Sequence, residues 1–445
     1  MHDFVSVDAP VVVLEHVRLI DGTGGPAVDD QVVVIDGPII KAIGPSGAVG
    51  VPASARVLDL TGRSIMPGWV AMHEHLFYTG PTGQGSVAGA PSMVHSYPRL
   101  YLAHGVTSMR TAGSMEPYAD LEVKRNIDAG RMPGPKMHLT APFLTGPGAY
   151  LMPLQPVQTA EEAAKMVNEW ADAGFTSFKA YTRITRAQLA AAIRTAHARG
   201  LKVTGHLCSV TFAEAAALGI DSLEHGIMPA TDFVPGKKLD ECPARGPDDG
   251  NSPIDSPVMQ SLIKQLVSRK VAIVSTLTVF EASVAERLPE MPRFWDVLSP
   301  LAQADYRLAR ARGSQAGAAS LRRAMDFEVA FVQAGGILIG GLDPSGHVGT
   351  TAGYGDQRQV ELLVEAGFTP VEAIHIMTEN GANVLGETAR IGTLKVGKRA
   401  DITVVKGDPS RTIADVKNVE IVFKDGKGYD PTKLIESVKG MVGLR

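Results

Sequence analysis

Between residues 64 and 343 the chain alternates short apolar runs with helical patterns, and eight of these runs read as strands. They are Ser64–His75, Val106–Arg110, Pro135–Leu139, Thr176–Tyr181, Lys202–His206, Ser222–His225, Val271–Leu277 and Gly336–Asp343. Strands that alternate with helices form a parallel sheet, because each crossover must return to the same edge. The helices announce their own starts. Thr185-Arg-Ala-Gln188 reads as a capping box for an Ala-rich helix ending at Gly200, and Thr369-Pro370-Val-Glu372 supplies an N-cap, a proline at N1 and an acid at N3. Eight such units without a repeat predict a (β/α)8 barrel, whose chemistry lies at the C-terminal strand ends.

Both chain ends have a different pattern. Val11–Leu14, Gln31–Ile35, Ile39–Ile43 and Arg56–Leu60 read as short strands, and Ile402–Val405 and Val419–Phe423 repeat the pattern. The expected organisation is a small β-sandwich built from residues 1–63 and 389–432, a barrel over 64–388 and a tail over 433–445. Three long connections, Phe77–Tyr97, Pro142–Gln158 and Met228–Pro257, should overhang the mouth, the third as a surface loop or a substrate lid.

Composition narrows the partners. A net charge of −4 over 445 residues gives no reason to expect nucleic acid or an anionic membrane. No apolar run approaches the roughly 18 residues that span a bilayer. The first residues lack the basic and apolar regions of a signal peptide, so a cytoplasmic enzyme is expected, with an exported, trimmed chain as the alternative. Cys208 and Cys242 are the only cysteines; reduced thiols are expected, with Cys208 a small buried apolar side chain.

The chemistry-bearing residues gather at strand ends. His73-Glu-His75 closes the first strand, and period-two alternation turns both imidazoles to one face with Glu74 pointing away. Lys179 closes the fourth strand, His206 the fifth, His225 the sixth and Asp343 the eighth. An HxH pair alone is a weak signal; four histidines, a lysine and an aspartate at one end of one barrel point to metal. A lysine among dications cannot remain an ammonium. As a neutral amine it can take up CO2, and the resulting carbamate offers two oxygens to two metals.

These residues sit in segments that resemble the amidohydrolase superfamily: Ile-Met-Pro-Gly-Trp-Val-Ala-Met-His-Glu-His, His-Gly-Val-Thr-Ser-Met-Arg, Ser-Leu-Glu-His-Gly and Ile-Gly-Thr-Leu-Lys-Val-Gly-Lys-Arg-Ala-Asp. The chain is most similar to the branch with imidazolonepropionase-like enzymes, Xaa-Pro and Xaa-Arg/Lys dipeptidases and ochratoxin-type amidases. The resemblance implies a binuclear site with two divalent ions, zinc being the natural choice. His73, His75 and Asp343 would bind the more buried ion, His206 and His225 the other, and carbamylated Lys179 with a hydroxide would bridge them. The hydroxide would attack an amide carbonyl, with Asp343 carrying its proton to the leaving nitrogen.

Around that centre, Tyr181 shares the inward face with Lys179 and is a candidate donor to the carbonyl oxygen, and His138 faces the same mouth. Arg110, Arg183 and His347 are candidates for a substrate carboxylate; Arg110 could equally tie down Glu224 or another buried acid. His104, His197 and His375 lie in helical patterns and read as structural. A small-molecule substrate, an amino-acid amide or dipeptide, and a homo-oligomer are the expected partners. Hydrolysis of a lactone or cyclic amide on the same metals is the alternative, and an inactive scaffold that keeps the fold is a remote one.

Overall fold

A computed structural model of the chain describes residues 2–78, 90–148, 156–244, 252–311, 315–344 and 350–443. Its middle contains eight short parallel strands: β1 (Trp69–Glu74), β2 (Val106–Thr111), β3 (Lys136–His138), β4 (Ser177–Ala180), β5 (Lys202–Gly205), β6 (Ser222–Glu224), β7 (Ala272–Ser275) and β8 (Leu338–Gly340). β1–β3 form one arc and β4–β8 another. The arcs are bonded at both ends. Thr176 N donates to Leu139 O at 2.9 Å between β3 and β4, and Asp343 N donates to His73 O at 2.8 Å between β8 and β1.

Helices follow the strands, and the predicted starts hold. Thr185 and Gln188 cap Arg186–Ala198 reciprocally, and Thr369 and Glu372 do the same for Pro370–Ile376. The helices bury their apolar faces against the strands in one large core that includes Trp69, Phe178, Phe212, Phe327 and Phe331.

The run Ser64–His75, expected as one strand, is two. Arg63–Pro67 pairs antiparallel with Ile402–Lys406, whereas Trp69–Glu74 pairs with β2. Gly68 makes the break: a side chain there would meet Thr107 Oγ1 at 2.2 Å, and its N–H donates to Asp401 O at 2.9 Å. Strands from both chain ends join in a single nine-stranded sheet, including Val5–Val7 and Lys427–Tyr429, which lacked a sequence signal long enough to read. Val12, Leu14, Val33, Ile65, Ile402 and Phe423 fill its own core. The expected tail begins inside a helix, Pro431–Glu436, capped by Asp430.

Glu328, on the helix Gln315–Gln333, is fully buried, and one of its oxygens accepts from Ser275 Oγ at 2.7 Å. Burial pushes its carboxyl up to about 8. The folded chain therefore keeps a proton that the unfolded chain releases near its ordinary 4.5, and stability falls as pH rises between those values. Glu328→Gln should flatten this fall by on the order of a few kcal/mol. Unfolding curves at pH 5 and pH 8 check it; an unchanged pH slope would assign the effect elsewhere.

Candidate metal centre

His73, near the end of β1, does not follow the alternation of the residues before it. Val70 and Met72 pack with Val274 and Ile339, the face that Glu224 shares through its pairing with Val274. Strict alternation would send His73 the other way. The register between β1 and β2 slips between Ala71 and Glu74, and this irregularity turns His73 to the same side as Met72. His225 has the same problem, following Glu224 directly. It is solved by a left-handed backbone, φ 64°, and Asp343 also adopts φ 54°. Non-glycine residues in this region are uncommon and gather at functional sites.

His73 Nε2, His75 Nε2 and a carboxylate oxygen of Asp343 converge. The group offers ligand atoms all within 4.8 Å of one another. His75 Nε2 lies 3.3 Å and His73 Nε2 3.7 Å from Asp343 Oδ1. The other ring nitrogens are tied back. His73 Nδ1 donates to Glu224 Oε2 at 2.7 Å, and His75 Nδ1 donates to Gly113 O at 3.2 Å. Such bonds fix the tautomer that leaves Nε2 with a lone pair, as metal-binding imidazoles require. The ring of His225 lies 4.6 Å from that of His73 and 4.6 Å from that of His206, and its Nδ1 is 2.9 Å from Thr276 Oγ1.

Electrostatics agree with the donor set. Burial lowers His73 to about 4 and His206 to about 3, so both are neutral near pH 7. Burial also lowers the Lys179 ammonium, whose Nζ lies 3.3 Å from His73 Nε2. For Asp343 burial acts upward, but the histidines around it prevail and hold it well below the carboxylate range. These residues fit divalent cations: imidazoles whose Nδ1 atoms are tied back, one carboxylate held ionised and an amine whose charged form burial disfavours.

Arg110 is not available to a substrate carboxylate. Its Nη2 donates to Glu224 Oε1 at 2.7 Å and its Nη1 to Ser222 Oγ at 3.3 Å, with the side chain 3% exposed. Burial acts upward on Glu224, but Arg110, His73 and Lys179 together prevail and hold it well below the carboxylate range. Glu224 and Thr276 are the positioning residues that pattern reading missed; an acid preceding a strand-end histidine was the available signal. Glu224→Gln should weaken metal affinity roughly 10–100-fold. Equilibrium metal titration reads this, and unchanged affinity would leave Glu224 with a packing role only.

His138 also falls outside the group. It shares a register position with Arg110, and burial lowers it to about 4 with Lys136, Glu387, Lys124 and Arg390 as its charged surroundings, none of them a site residue. Tyr181 does join, its ring 5.0 Å from His206. Arg183 is exposed on the turn after β4, and His347 lies outside the described residues. The structural histidines behave as read: His104 bonds Leu100 O, His197 bonds Asp221, and His375 bonds Gly22 O.

The cysteines depart from expectation. Cys208 and Cys242 form a disulfide, their Cα atoms 4.9 Å apart, because the long connection after β6 returns to the end of β5. Asp232 and Asp240 hold the same return through Phe212 N, Ala213 N and Arg186. Closing a span of 34 residues removes about 4 kcal/mol of unfolded-chain entropy. Cys242→Ser should therefore lower the melting temperature, and reductant should lower that of the wild type alone. Equal melting in both chains would mean that the bridge does not form.

The model of the amidohydrolase family matches residues 332–428. An imidazolonepropionase from Arthrobacter sp. (strain FB24) is 47% identical over 51 residues, 12% of this chain and 12% of that relative. The curated relatives are thus matched over a small part of their own length. A Xaa-Pro dipeptidase solved with bound methionine in its active site shares the fold at a TM-score of 0.71 and 19% identity, over 94% of this chain and 100% of that one. The ochratoxinase of A. niger does so at 0.69 and 18%, over 98% and 100%. Over residues 332–428 the sequence is similar to the amidohydrolase family, and over nearly its whole length the chain shares the fold of these two solved structures.

Proposed function

We propose that the chain is a metal-dependent hydrolase of the amide bond between an acyl group and an amino acid. The observation that carries this reading is the convergence of His73 Nε2, His75 Nε2 and the Asp343 carboxylate, with both Nδ1 atoms tied back. In this reading the eight parallel strands close into a (β/α)8 barrel, and the nine-stranded sheet folds into a flanking sandwich. His73, His75 and Asp343 would hold one divalent ion and His206 and His225 a second, with carbamylated Lys179 as a further ligand. Ions held there supply Lewis acidity for a carbonyl and lower the pKa of water.

The remaining steps belong to the chain's own groups. Asp343, ionised and 8% exposed, accepts the proton of the attacking water and returns it to the leaving nitrogen, which departs as an amine. Tyr181 stands beside His206 to orient the carbonyl. With Arg110 bonded to Glu224 and His347 outside the described residues, Arg183 is the candidate left for a substrate carboxylate. The structures of a dipeptidase and an ochratoxinase on this fold favour amide substrates. Ring opening of a cyclic amide is the second reading, favoured by the imidazolonepropionase match. The Cys208–Cys242 bridge favours an exported origin over a cytoplasmic one, since stable disulfides belong to oxidising compartments.

A hydrolysis screen of the metal-loaded chain over dipeptides, N-acyl amino acids, cyclic amides and lactones tests the proposal. Chelator-sensitive cleavage of the linear amides is expected. Cleavage of the cyclic amides or lactones alone would replace the first reading by the second.

A further inference from the structure

One apolar cluster belongs to neither the main core nor the sheet core. Phe77, Met115, Phe143 and Tyr181 pack together, with Ala90 against them. All four lie just beyond the C-terminal ends of β1 to β4. Phe77 follows His75 by two residues and Tyr181 follows Lys179 by two, so the cluster begins where the metal-binding side chains end.

Its rings line one side of the centre. Phe77 stands 4.5 Å from the His75 ring and Phe143 6.4 Å from it; Phe143 lies 5.1 Å from Tyr181, and Tyr181 lies 5.0 Å from His206. Lys179 Nζ is 5.4 Å from the centroid of Phe143. The facing side differs: His225 meets Thr276, and Thr278 Oγ1 donates to Leu342 O at 3.0 Å beside Asp343. Among the described residues the mouth is therefore apolar and aromatic over β1–β4, with hydroxyl groups beside the centre at β7 and β8.

Gly113 shows that the wall is fitted to the centre. At φ 109° its carbonyl accepts from His75, while a side chain there would meet the Phe143 ring at 2.5 Å. One residue thus orients a metal ligand and makes room for the ring next to it.

We propose that Phe77, Met115, Phe143 and Tyr181 form the specificity wall of the site, and that the side chain flanking the scissile amide is large and apolar, a phenyl or branched aliphatic group. This rests on the amide-hydrolase reading above. An apolar wall stripped of water rewards each buried methylene and offers nothing to a charged or absent side chain.

The test uses the full metal-loaded chain and matched pairs, Phe-Gly against Gly-Gly and N-acetylphenylalanine against N-acetylglycine. The wild type should show kcat/KM at least about tenfold higher for the aromatic member of one pair. In Phe143→Ala that ratio should fall toward one, with metal content unchanged. Equal rates in the wild type, a preference for glycine, or an unchanged ratio in Phe143→Ala would overturn the proposal. If Phe143→Ala loses metal, Met115→Ala replaces it, and metal loss there too would reduce the cluster to packing and overturn the wall. Should no amide turn over, calorimetric titration with L-phenylalanine and glycine decides. Tighter phenylalanine binding that Phe143→Ala abolishes keeps the wall and rejects the amide reading; equal binding rejects the wall.

Discussion

Lys179→Ala should lose metal and activity together, each by more than about 100-fold, the upper range for removing a mere supporting partner of a metal ligand. The side chain is 2% exposed, burial lowers its ammonium, and its Nζ stands 3.3 Å from the Nε2 of a neutral histidine. An uncompensated ammonium beside two dications is excluded on Coulomb grounds. An amine that has taken up CO2 carries a negative charge and two oxygens to the same place. Lys179→Glu supplies a carboxylate of similar reach and should retain more metal than Lys179→Ala. Elemental analysis and turnover on the same samples read both variants. Full binuclear loading of Lys179→Ala would remove the carbamate from the account.

Asp343→Asn should fold, keep much of its metal and lose turnover by roughly 10²–10⁴-fold. The backbone at this residue is left-handed, φ 54°, a conformation that asparagine tolerates at least as well as aspartate. Its N–H bond to His73 O at 2.8 Å does not depend on the side chain. What changes is the carboxylate that accepts and returns a proton. Near-wild-type rates with metal bound would dismiss Asp343 as the proton carrier.

The strand–helix alternation and the strand-end histidines were legible because buried strands and capped helices leave local signals. Thr185 with Gln188 and Thr369 with Glu372 needed nothing beyond four consecutive residues. The aim of individual ligands was less legible. His73 reaches the centre through a slipped register and His225 through a left-handed backbone, and neither departure from period two is written in residue type. Arg110 and His138 show the converse. Both close strands that run to the centre, but Glu224 is bonded to the arginine, and the charges acting on the histidine are Lys136, Glu387, Lys124 and Arg390. The disulfide depends on where a long loop returns, which is a tertiary fact.

The account rests on a centre built for two divalent ions. Elemental analysis of the purified chain, after saturation with zinc and removal of free metal, measures this directly. About two ions per chain, both lost with activity on chelation, is the predicted result. One ion per chain with full activity would contradict it.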